Sequence, residues 1–253
     1  MKRLIPLILS LSFLFSSCGT KYDHNADESI ISQIKSSFDF FDGDTAYSAT
    51  FRLNILLEDS RETFMFAQGN YDVSPPGPGE KTQSVSSVLA QTLLGTPYGV
   101  KAEYKNGVLS TTIDGSVTNE SLDEKDFFTQ IIYVKPFLPE NTNIYIKGID
   151  DLVTAGGKGY AVFLKNAGEI LFPLIGEDIY TLATFKNPKR GDTAVTDAKM
   201  TFVFDGEGEL SGMTVIFTLT LYDTPPYVPN GGVADKDDYK LTLLVDYSVL
   251  FNR

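Results

Sequence analysis

The sequence predicts an α+β fold on a strongly curved antiparallel sheet, and three observations carry that expectation. Residues 45–57 alternate cleanly, with Tyr47, Ala49, Phe51, Leu53, Ile55 and Leu57 on one face and Ser48, Thr50, Arg52 and Asn54 on the other, the pattern of a half-buried strand. Residues 198–205 and 209–222 alternate on either side of Asp205-Gly206-Glu207-Gly208, so they read as a hairpin. Residues 239–251 alternate from Tyr239 through Leu241, Leu243, Val245, Tyr247 and Val249 to Phe251. At about 3.3 Å per residue this last strand would be roughly 40 Å long. A strand of that length coils with its neighbours into a curved sheet.

The remaining elements follow in chain order. Ile30, Ile31, Ile34, Phe38 and Phe41 lie at helical spacing and predict an amphipathic helix over 28–41. Residues 62–73 pair with 45–57 across Glu58 to Arg61. Ser74-Pro75-Pro76-Gly77-Pro78-Gly79 is a loop. Val85, Val88, Leu89, Thr92 and Leu93 predict a short helix. Val100–Tyr104 and Val108–Ile113 flank Lys105-Asn106-Gly107, and Asn-Gly accepts the positive φ angles of a tight hairpin turn. Ser121-Leu122-Asp123-Glu124 has the form of a capping box, with Phe127, Phe128, Ile131 and Ile132 behind it and Pro136 ahead as a stop. Tyr160–Lys165 is a short strand. Asn166–Ile175 starts as a helix that Pro173 and Gly176 break. Asp223–Asp238 is a polar loop rich in Pro and Gly.

The N-terminus carries the strongest local signal. Lys2 and Arg3 precede a 12-residue apolar stretch, Leu4–Phe15, and then Ser16, Ser17 and Cys18. This is secretory signal architecture, too short to span a bilayer. No later stretch reaches the 18 or so apolar residues that a spanning helix needs. Cys18 is the only cysteine of the 253-residue chain. The run Leu14-Phe15-Ser16-Ser17-Cys18 resembles the lipobox of bacterial lipoproteins, with Phe15 where Leu is usual. That resemblance implies a diacylglyceryl group on the Cys18 sulfur and cleavage before it. The alternative is an ordinary signal peptide cut near Ser17, which leaves a free thiol. The expected organisation is a signal peptide over 1–17, a lipidated polar tether over 18–27, and one domain over 28–253. His24, the sole histidine, falls in the tether and is expected to be an exposed residue there.

Composition excludes several function classes. A net charge of −12 leaves no basic face for tracking phosphates, so no nucleic-acid partner is expected. One cysteine excludes an internal disulfide framework. One histidine argues against a histidine-based metal site and against Ser–His–Asp chemistry. Ala155-Gly156-Gly157-Lys158-Gly159 lacks the first glycine and the final Ser or Thr of a phosphate loop. Gly206-Glu207-Gly208 links two strands instead of opening a helix, so it is no dinucleotide fingerprint. Asp123, Glu124 and Asp126 are ordinary acidic compensation for a helix N-terminus. No catalytic residue, metal site or cofactor is expected, and the chain is read as non-enzymatic.

An N-terminal cysteine, an amphipathic helix and a meander of long alternating strands together resemble the LolA-type lipoprotein superfamily, which includes LolA, LolB and the mycobacterial LppX and LprG proteins. Glu103-Tyr104-Lys105-Asn106-Gly107-Val108-Leu109 resembles the hairpin of its uncharacterised bacterial members. Lys199–Leu221 with Tyr239–Leu250 resembles their closing strands. The resemblance covers most of 28–253. It implies an incomplete barrel whose concave face is closed by helices, with an apolar cavity between them for acyl chains or a related ligand. On that implication Phe202, Phe204, Phe217, Leu219, Leu243 and Val245 contact the ligand; the alternative is that they fill a dry core. Two functions stay open: an extracytoplasmic, membrane-anchored binder of a lipid or other apolar molecule, and a cell-envelope lipoprotein acting through contacts with an unidentified protein.

Overall fold

The computed structural model describes residues 22–42, 45–93, 95–130, 132–154, 157–184, 193–222 and 240–252. Cys18, the signal segment and the 223–239 loop lie outside the described residues. Helix α1 spans Glu28–Ser36, capped by Asp27, whose side chain accepts from the Ser29 N–H. A 3-10 turn, Asp39–Asp42, follows it. Then come six strands: β1 (Tyr47–Leu57), β2 (Thr63–Ser74), β3 (Ser84–Leu93), β4 (Thr96–Lys105), β5 (Val108–Ile113) and β6 (Ser116–Ser121). Two single-turn helices, α2 (Glu124–Phe127) and α3 (Thr142–Tyr145), lead to β7 (Ile146–Thr154) and β8 (Gly157–Leu164). Helices α4 (Gly168–Leu171) and α5 (Glu177–Thr184) precede β9 (Thr193–Phe204), β10 (Leu210–Tyr222) and β11 (Lys240–Asn252).

All eleven strands form one antiparallel sheet in the order β6-β5-β4-β3-β2-β1-β11-β10-β9-β8-β7. Two meanders, β1–β6 and β7–β11, are joined where the first strand meets the last, with Ala49 opposite Phe251 and Ile55 opposite Val245. The predicted pairing of 198–205 with 209–222 is present, with Phe202 opposite Met213. Laid flat at about 4.8 Å per strand, the sheet would be roughly 50 Å wide. Helix α1 is only about 14 Å long by its rise per residue. Yet inward side chains from β1–β5 and β7–β11 share one core cluster with Ile30, Ile31 and Ile34 of α1. The sheet therefore wraps around its cover without closing into a barrel. Register shifts at Ile55/Leu56, Leu210/Gly212, Ile216/Thr218 and Ile146/Gly148 add the local twist and bend that such wrapping needs.

The cover is made of connections. Residues 122–145 join β6 to β7, the two opposite edges of the sheet, and so cross the apolar face. They are irregular, and three tyrosine hydroxyls from the sheet and the crossing hold them down. Tyr104 donates to the Leu122 carbonyl at 3.1 Å, Tyr247 donates to the Ile132 carbonyl at 3.1 Å, and Tyr133 shares a 2.6 Å bond with Ser87. Phe127 stacks between Tyr104 and Tyr133, at 4.3 and 4.6 Å. Burial raises the phenol of Tyr133 and pushes that of Tyr247 well above its ordinary range, so both stay neutral and able to donate.

Four sequence expectations are corrected. Residues 84–93 are strand β3, not a helix: Val85, Ser87 and Leu89 point inward and Val88 is 60% exposed. A serine inside and a valine outside hid the period of two. Ser121 ends strand β6, so it caps nothing, and α2 is a single turn with Asp123 at its N-cap and no side-chain capping bond. Pro173 does not end its helix. A π-turn over Phe172–Gly176 absorbs it and the chain runs on into α5. The helix expected over 28–41 divides into α1 and the 3-10 turn, still burying Ile30, Ile31, Ile34 and Phe41.

Candidate functional site

The six residues expected to face a ligand all point into the covered side of the sheet. Phe202, Phe204, Phe217, Leu219, Leu243 and Val245 are each 2% exposed or less and belong to the contiguous core. Phe217 lies opposite Val245, and Leu219 opposite Leu243. On the same side, Phe38, just after α1, lies 5.7 Å from Phe202, and Tyr160 of β8 donates to the Gln33 side chain of α1 at 3.0 Å.

A cleft of about 560 Å³ opens where the β2–β3 loop meets the 124–137 crossing and the π-turn. Its floor is apolar, made by Phe128, Val134, Pro136, Phe137 and Leu174. Its rim is charged, with Lys81, Lys125 and Lys135 beside Asp42 and Glu124. None of the six expected residues lines it. Lys135 is the most constrained rim group. Its Nζ donates to Gln83 Oε1 at 2.9 Å, lies 3.4 Å from Asp42 Oδ1, and sits 4.2 Å above the Phe128 ring. The Gln83 N–H donates to Glu124 Oε1 at 3.2 Å, tying the loop to the crossing. Within the loop, Glu80 accepts from the Gly77 N–H at 3.0 Å and pairs with Lys105 at 3.0 Å. The Lys105 hydrogen bond, followed by the Gly77 one, holds the half-buried Glu80 carboxyl below its usual range. Another cavity, about 460 Å³, is a polar groove along α1 between Glu28, Lys35, Asp39 and Thr142.

Sequence reading missed this cleft because its walls come from residues near 42, 76–83, 124–137 and 174. No local periodicity marks a wall assembled from a proline-rich loop and an irregular crossing.

His24 is also placed differently from the expectation. It is partly exposed, but it is not in a free tether. Its backbone pairs with Ile149 of β7, through N–H···O bonds of 2.9 Å in both directions, and its Nε2 lies 3.0 Å from Asp151 Oδ2. That hydrogen bond chiefly raises the imidazole pKa above its ordinary 6.5, with the Asp151, Asp27 and Asp23 charges adding to it and partial desolvation opposing. A raised pKa means that the charged pair is present at low pH and is lost as pH rises through the folded-state value. The single histidine should therefore titrate by NMR with a midpoint above 6.5, and Asp151→Asn should bring that midpoint down. A midpoint at or below the ordinary value, or one indifferent to Asp151→Asn, would refute the pairing.

Among the described residues no cluster of His, Cys, Asp and Glu is arranged to hold a metal ion, and no helix is long and apolar enough to cross a membrane.

No protein-family profile matches the sequence, and no curated protein matches it. Solved structures do. LprF from Mycobacterium bovis is similar over 90% of this chain and 94% of its own, at 11% identity and a TM-score of 0.45. A LolA superfamily protein from Nitrosomonas europaea is similar over 88% and 93%, at 10% identity and a TM-score of 0.24. A DUF1329 family protein from Desulfovibrio piger is similar over 87% and 93%, again at 10% identity and 0.24.

Proposed function

We propose that the mature chain is an extracytoplasmic lipoprotein, held to a bacterial membrane by acyl chains on Cys18, that binds a lipid or other apolar ligand without catalysing a reaction. The observation that carries the ligand reading is the cleft of about 560 Å³ with an apolar floor and a charged rim. Small-molecule sites are typically about 300–1,000 Å³, mostly apolar, with a few polar groups that fix orientation. A ligand with an apolar body and a polar end matches that division. Its body would lie on Phe128, Phe137 and Leu174, and its polar end beside Lys81 and Lys125. A tail that displaced covering side chains would meet Phe202, Phe204, Phe217, Leu219, Leu243 and Val245. This second location is distinguished from the cleft by substitutions at Leu219 and Val245.

Delipidated protein should take up a fluorescent fatty acid. Phe137→Asp, which puts a charge on the half-buried floor, should weaken uptake by about tenfold or more, equivalent to about 1.4 kcal/mol, while the melting temperature stays close to that of the parent. Absence of uptake by the parent protein would overturn the ligand reading. Weight would then pass to protein contacts, which one observation favours. Strand β6 is an edge strand exposed on both faces, and with β5 it shows Val108, Ile113 and Val117 to solvent. Such an edge is a template for pairing with another chain.

A further inference from the structure

The two edges of the sheet are treated differently. Among the described residues no segment pairs with the outer edge of β6, whereas β7 is covered by the residues just after the proposed anchor. Tyr22 lies on Gly148, where any Cβ would overlap its ring, and it contacts Phe163 at 5.0 Å. The Asp23 N–H donates to Asp150 Oδ1 at 3.0 Å, and the Asp151 N–H donates back to Asp23 Oδ2 at 3.1 Å. His24 adds its backbone pair with Ile149 and its bond to Asp151. Three consecutive residues are thus fixed to β7 by backbone, side-chain and ring contacts together.

We propose that this strap orients the domain, mooring the β7 edge of the sheet against the lipid surface and leaving the β5–β6 edge as the free one. The proposal rests on the reading of Cys18 as the lipid anchor. Tyr22 stands four positions after Cys18, and an extended chain covers at most about 3.3–3.6 Å per residue, so the anchor lies within about 14 Å of Tyr22. Were the chain free up to the Asp27 cap of α1, the first fixed residue would stand nine positions after Cys18 and the reach would be about 30 Å, enough for the domain to tumble. The strap therefore turns a slack tether into a short one with a defined exit point. Ile144, just before β7, and Val153, near its end, are both aliphatic and exposed, as fits an edge held at the bilayer interface. The strap also occupies backbone groups of β7 that an edge strand would otherwise offer to another chain.

The test uses the full-length lipidated protein in phosphatidylcholine vesicles whose headgroups carry an energy acceptor. Cys18 is the only native cysteine and its sulfur would hold the lipid, so Lys147→Cys or Val117→Cys supplies a single free thiol for a donor dye. Residue 147 is on β7 and residue 117 is on β6. The dye at 147 should be quenched several-fold more than the dye at 117. Gly148→Leu, which expels Tyr22, should reduce that difference toward equality. Tyr22→Ala, which leaves β7 untouched, should do the same and guards against a folding defect in the glycine variant. Co-sedimentation with the vesicles is read first. Protein that does not sediment refutes the anchor and the orientation with it. Protein that sediments with equal quenching at both positions, or with a difference indifferent to both strap variants, refutes the orientation alone.

Discussion

Replacing Cys18 by serine is expected to move the protein wholly from the detergent phase to the aqueous phase in a phase-separation assay. Cys18 is the sole sulfhydryl of the chain and stands directly behind a 12-residue apolar segment and two serines. A serine hydroxyl cannot form the thioether that carries the diacylglyceryl group. Each buried methylene contributes about 0.8 kcal/mol; one acyl chain holds a protein only marginally, whereas two or three hold it durably. Among the described residues no helix offers a substitute anchor. Because the strap contacts begin at Tyr22, the serine variant should keep its fold, seen as an unchanged melting temperature. Equal partitioning of the two proteins would sink the lipid-anchor reading and leave an ordinary cleaved signal in its place.

Legibility in the sequence followed the strength of the burial contrast along each strand. Strands β1, β10 and β11 lie in the middle of the sheet with one face covered, so their alternation was clean and a shared antiparallel sheet could be expected from it. At β3 the contrast failed, because Ser87 is buried to meet Tyr133 while Val88 faces water. Strand β7 escaped the reading for another reason. It is an edge strand with Gly148, Asp150 and Asp151 in its middle, and those residues suit the strap, not a hydrophobic layer. Asp23 and His24 looked like part of a polar tether because their partners lie 127 positions away. The six inward residues on β9, β10 and β11 were assigned the right face by parity. Parity cannot tell a packed core from a cavity, since both need apolar side chains on that face. The cleft had no signature at all, because the chain crosses the sheet from one edge to the other and brings together loops remote in sequence.

That distinction between core and cavity is what Leu219→Phe and Val245→Phe decide. Both parent residues are fully buried, on adjacent strands β10 and β11, and Val245 lies directly opposite Phe217. Protein interiors pack at a density near 0.74, so a ring added to a filled site forces neighbours off their rotamers. Such overpacking typically costs about 1–3 kcal/mol. For a domain of this size each kcal/mol lowers Tm by roughly 2–4 °C. Each substitution is expected to produce a fall of that order. Fatty-acid uptake at temperatures where the variants remain folded should be unaltered, because neither position lines the cleft. Phe137→Asp should behave in the opposite way, with uptake lost and stability kept. The two classes of variant thus separate along perpendicular axes. If instead Leu219→Phe and Val245→Phe leave Tm in place and abolish uptake, the covering segments part in solution and the acyl chain lies against β10 and β11, the arrangement that the sequence resemblance implies. The new rings would then occupy ligand space without displacing core atoms.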